Sequence, residues 1–158
     1  MSAWIGLRNT TSTLSKQDKD VRDDLTLIND VFMYMRYSFG YQDCNLSYVN
    51  AFTMIAKHAP AALADLPDML NISRTTITRL VSYLGEGSTD GGKAISGLNY
   101  VITSEDPLDT RRKLVSLTVA GEMVSRNVSR IMRGDVTFEQ LKLEQQEHAL
   151  AASKRTPK

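Results

Sequence analysis

The sequence predicts a mainly α-helical protein with one small β-hairpin, and three observations lead there. Apolar residues recur at helical spacing in several separate stretches. The period switches to two only near residues 98–103 and 114–118. The most polarised stretch is residues 70–85, LNISRTTITRLVSYLG. There Ile77, Leu80, Val81 and Leu84 form an apolar stripe, while Thr75, Thr78, Arg79 and Ser82 point away from it. No carboxylate lies between Asn71 and Leu84. An ordinary solvated face mixes both signs of charge. A face of arginine and short polar side chains suits the edge of a DNA groove.

Length and composition bound the answer. A chain of 158 residues with 42% hydrophobic content is expected to form one domain with a sizeable core. No apolar run is long enough to cross a bilayer. The first residues lack a basic-then-apolar export pattern, so a cytoplasmic protein without a membrane partner is expected. Cys44 is the single cysteine, which excludes an intramolecular disulfide and a cysteine-rich zinc site. His58 and His148 are far apart in sequence, and neither a metal nor a cofactor is expected. The net charge of +1 is low for a nucleic-acid binder. The charge is clustered, however: basic residues concentrate at 74–79, 111–113 and 126–133, acidic ones at 18–30 and 139–147.

The elements follow in order. Residues 1–17 are polar and read as a flexible arm. A helix is expected over 18–39, where Leu25, Ile28, Phe32, Met35 and Phe39 repeat at the spacing of a helix-pair seam. A second covers 46–58, with Val49, Phe52, Met54 and Ile55 inward. Pro67 fits only a first helical turn, so a short third helix should start near Asp65, capped by that carboxylate. Leu70-Asn71-Ile72 is a tight turn, and Asn71 tolerates a left-handed backbone. Ser73 then caps the polarised helix. Five of the thirteen residues in 85–97 are glycine, which predicts a mobile loop. Two strands follow, joined by a tip over 105–112. A helix over 119–133 has Val124, Val128 and Ile131 inward. Thr137 and Gln140 form a capping box for a last helix reaching about residue 152, and 153–158 is a loose tail.

This order is that of a winged helix-turn-helix with extra helices at both ends. Residues 66–84 resemble the helix-turn-helix of MarR-type regulators. Gly97-Leu98 resembles the start of that family's wing, and Asp109-Thr110-Arg111-Arg112-Lys113 its acidic-then-basic tip. Leu117-Thr118 with Gly121 resembles its exit. The loop at 85–97 is considerably longer than the family's, the tip is slightly longer, and Pro67 and Asn71 replace a small helix former and a glycine. The resemblance implies a single winged-helix domain over 18–152. Its DNA-binding core would span about 46–118, with dimerisation helices at 18–39 and 119–152. It implies a homodimeric transcription regulator, a repressor in the favoured reading, on an inverted-repeat operator in double-stranded DNA. It also implies release by a small phenolic or lipophilic effector or by cysteine oxidation.

Candidate DNA contacts are Ser73, Arg74, Thr75, Thr76, Thr78, Arg79 and Ser82 on the helix, and Arg111, Arg112 and Lys113 on the wing. Arg79 is the foremost base or phosphate reader, and Arg111 suits the negative potential of a narrow minor groove. Asp109, two residues before Arg111, is expected to hold that side chain. Tyr34, Tyr37 and Tyr48 are candidates to line a pocket for a small aromatic effector, although core packing is the favoured reading of the same cluster. Cys44 is more readily an ordinary thiol than a redox switch. Gly87 to Lys93 matches the spacing of a phosphate-binding loop, but Ala94 replaces the magnesium-ligating hydroxyl and the element order is reversed. No Gly-x-Ser-x-Gly elbow or nucleophile–base pair supports an enzyme. The competing reading is a winged helix that binds protein rather than specific DNA.

Overall fold

The computed structural model describes residues 19–40, 45–90 and 93–153, with the backbone alone at 88–90 and 93–95. The expected arm at 1–17, Tyr41, Cys44 and residues 154–158 lie outside this set. The elements run α1 (Lys19–Ser38), α2 (Leu46–His58), β1 (Ala61–Ala62), α3 (Leu66–Leu70), α4 (Arg74–Leu84), β2 (Gly87–Asp90), β3 (Lys93–Ser96), β4 (Val101–Asp106), β5 (Asp109–Leu117), α5 (Val119–Met132) and α6 (Phe138–Ser153). One sheet has the order β1-β5-β4, and β2 pairs with β3 in a second. The fold is the expected winged helix-turn-helix: helices around a small antiparallel sheet.

Local chemistry sets the boundaries. The Asn45 side chain accepts from the amides of Ser47 and Tyr48 and so starts α2. Asn71 adopts the left-handed conformation at φ 53° and closes α3. The Thr137 amide donates to Gln140 Oε1 at 2.8 Å and the Gln140 amide to Thr137 Oγ1 at 3.3 Å, which completes the capping box. Asp30 of α1 adds a cap across the chain, because its Oδ2 accepts from the Phe138 amide at 3.2 Å. The apolar stripe of α4 is buried, and the core continues through Phe39, Phe52, Ile55, Leu66, Val101 and Val115. Phe39 sits edge-on to both Phe52 and Tyr100, each with ring centroids 5.6 Å apart.

Several expectations are corrected. Residues 85–97 are not simply a loop: most of the stretch is the β2–β3 hairpin, with Gly87 opposite Ser96 and Asp90 opposite Lys93. A backbone ladder needs no apolar alternation, so these small polar residues gave no strand signal. The two residues between the strands are Gly-Gly in sequence, a favoured composition for hairpin connections. β1 was also not anticipated, because two residues show no period; Ala61 pairs with Val115 and Ala62 with Leu114. The strand expected from Leu98 begins at Val101 instead. The amides of Leu98, Asn99 and Tyr100 are spent on the carbonyls of Tyr83, Gly85 and Leu84, which leave the end of α4 without helical partners. The wing connection is Pro107-Leu108 alone, so Arg111 and Arg112 belong to β5. Asp65 occupies the cap position of α3 without a side-chain cap bond. Its carboxylate faces Arg112 at 3.8 Å.

The seam expected on α1 divides. Met35 and Phe39 are buried in the protomer, but Leu25, Ile28 and Phe32 are 46–51% exposed. Leu143 and Leu150 of α6 are exposed as well. Among the described residues, no helix is long and apolar enough to cross a membrane.

Candidate nucleic-acid interface

The polarised helix is held so that its carboxylate-free side faces out. Ser73 Oγ accepts from the Thr76 amide at 3.1 Å and fixes the first turn of α4. With the stripe buried, Arg74, Thr75, Thr76, Thr78 and Arg79 are exposed. Some of the hydroxyls are partly engaged: Thr76 shares a 2.8 Å hydrogen bond with Ser73, and Thr78 donates to the Arg74 carbonyl at 2.9 Å. Ser82 differs from the open position expected of it. It is half-buried, and its hydroxyl donates to the Gly87 carbonyl at 2.7 Å. The β2–β3 hairpin is thereby tied to the outward side of the last turn of α4.

Beside α4 stands the wing of β4 and β5. A groove of about 320 Å³ separates helix and wing, and Pro67, Arg74, Thr78, Arg111, Arg112 and Lys113 are among its walls. It adjoins a second depression of about 230 Å³ that includes Thr78, Ser82, Thr103 and Lys113. The helix and wing residues singled out in the sequence therefore do meet. Thr103 was not foreseen, since its position opposite Val115 emerges only from strand register. Asp109 acts differently from expectation: its Oδ1 accepts the Arg111 backbone amide at 3.1 Å rather than holding the guanidinium. Arg112 is drawn toward Asp65 and so is shared between wing and α3.

Charge pairing separates the basic clusters. On α5 and just beyond it, Arg126 meets Glu122 at 3.0 Å, Arg130 meets Glu144 at 3.3 Å and Arg133 meets Asp135 at 3.1 Å. Arg74, Arg79, Arg111 and Lys113 have no carboxylate partner among the described residues. What distinguishes α4 and the wing is thus not an excess of cations, since Glu105 stands opposite Lys113 across the ladder, but that four of their cations form no ion pair among the described residues.

The three tyrosines proposed for an effector pocket each make a different contact. Tyr34 is fully buried, and its hydroxyl accepts from Asn127 Nδ2 at 3.0 Å. Tyr37 packs edge-on to Phe138 at 6.0 Å. Tyr48 lies on α2 against Tyr83, with centroids 4.4 Å apart. Tyr83 and Tyr100 have roles the sequence did not signal: their hydroxyls donate to the carbonyls of Phe39 at 3.2 Å and Ser38 at 2.6 Å. Both bonds tie the helix-and-wing unit to the end of α1.

An exposed, cation-bearing second helix of a helix-turn-helix, flanked by a β-wing, defines a winged helix-turn-helix protein. Solved structures of DNA-bound proteins share this fold. Staphylococcus aureus MepR, solved as a DNA complex, is 15% identical with a TM-score of 0.55, over 87% of this chain and 99% of that one. Streptococcus pneumoniae FabT, also solved in complex with DNA, is 14% identical with a TM-score of 0.51, over 87% and 92% of the two chains. The structure of MarR itself is 15% identical with a TM-score of 0.44, over 89% and 97%. No family model and no curated protein matches the sequence.

Proposed function

We propose that this protein is a homodimeric regulator of transcription that reads an inverted repeat in double-stranded DNA, as a repressor. One observation carries the reading: Arg74, Arg111 and Lys113 line a common groove without carboxylate partners among the described residues, as does Arg79 farther along α4, whereas Arg126 and Arg130 of α5 are paired. Exposed unpaired cations beside a helix of groove-reading width are what phosphate and base contacts require. The two similar structures solved on DNA support the same use of the fold. The second copy is inferred from Leu25, Ile28 and Phe32, an apolar line that the protomer leaves uncovered and that another α1 of the same kind would cover.

In this reading α4 enters the major groove and the wing follows the adjacent backbone, with Arg111 toward the minor groove. Two such units give half-sites about one helical turn apart. In vitro selection from random duplexes tests it. The expected product is a palindrome of that spacing, bound with an affinity that falls steeply with salt as phosphate contacts release counterions. No retarded duplex at low salt would replace it with a protein-binding module.

A further inference from the structure

Leu108 is the most exposed large apolar side chain in the described structure, at 96%. It stands at the outermost point of the wing, in the two-residue connection Pro107-Leu108. The turn is held from both sides. Asp106 Oδ1 accepts the Leu108 amide at 2.9 Å, and Asp109 Oδ1 accepts the Arg111 amide at 3.1 Å. A register shift between Glu105 and Asp106 bends the strand just before the tip. The carboxylates of Asp106 and Asp109 are thus turned back onto the wing's own backbone, and the leucine is carried forward on a constrained turn. Arg111 and Lys113 follow it in β5 without an ion pair among the described residues, although Glu105 stands opposite Lys113 across the ladder.

We propose that Leu108 is a specificity-determining residue. As the wing meets DNA, the side chain enters the minor groove as an apolar wedge against a base step and bends the duplex there. The inference rests on the DNA-binding reading above and deepens it. Apolar residues at protein tips unstack and kink base steps, and the energy depends on the step: pyrimidine–purine steps such as TA and CA/TG yield most easily. A minor groove about 6 Å wide admits one side chain, and the wedge widens it for Arg111 behind. Selectivity at the wing position then comes from deformability of the step rather than from hydrogen bonding.

The test compares the wild type with Leu108→Ala on the duplex recovered by selection. Affinity is read by mobility shift, and bending by energy transfer between end labels. The side chain is solvated, so the variant keeps the parental melting temperature. The expected result is about tenfold weaker binding, the fold-change for losing one well-buried leucine contact. A smaller bend, an unchanged salt slope and reduced discrimination among steps at the wing position should accompany it. A variant that binds and bends DNA like the wild type overturns the wedge and leaves DNA binding standing. A wild-type protein that retards no duplex overturns both.

Discussion

The Tyr100 hydroxyl donates to the Ser38 carbonyl at 2.6 Å. It links the residue just before β4 to the last residue of α1, 62 positions earlier. Tyr83 makes the parallel bond from α4 to Phe39. These two phenols fix where α4 and the wing stand relative to the end of α1.

Tyr100→Phe leaves the Ser38 carbonyl without its donor and should cost about 1–3 kcal/mol of stability, read by denaturant unfolding. The pH dependence has a definite sign. Burial, then the neighbouring Tyr34 and Tyr83, push the Tyr100 phenol up from 10.0 to about 12. The unfolded chain loses this proton first as pH rises. The stabilisation is therefore complete below pH 10 and is lost as pH climbs through about 12. The phenylalanine variant should show a flatter decline over that interval. An identical decline in both proteins would assign it to other groups.

Arg79→Ala should lower affinity for the selected site by about 1–3 kcal/mol and relax its sequence preference, while the dimer stays intact by light scattering. Arg74→Ala should instead weaken all duplexes alike and reduce the salt slope by about one. Equal losses on specific and random DNA for both variants would assign Arg79 to a phosphate.

Phe32→Asp puts a charge into the exposed apolar line of α1. Sedimentation should find a folded monomer with little affinity for the full palindrome. If it sediments as a dimer, the subunit contact lies elsewhere.

Gly121→Ala tests the close approach at the exit from the wing. A Cβ at Gly121 collides with the Tyr100 carbonyl, which is backbone and cannot swing aside. A loss of about 1–3 kcal/mol is expected. The melting temperature should fall without any change in dimer affinity.

The sequence showed most where a residue's neighbours in the chain decide its role. Ser73, Asn71, Thr137 and Gln140 cap or turn as expected because their partners lie within three residues. The inward stripe of α4 was legible because one helix period sorts it. Asp109 was misjudged although its partner is near: backbone and side chain of Arg111 both lie within its reach, and spacing does not choose between them.

Local sequence, then, determined the helices, most of their ends and the carboxylate-free outer side of α4, since these depend on contacts a few residues long. The packed molecule decided which cations stay unpaired, because Arg130 meets Glu144 only when α5 and α6 come together. It also paired 87–90 with 93–96 and tied Tyr83 and Tyr100 to the end of α1. These pairings join distant positions, and only the closed chain brings their donors and acceptors within bonding range.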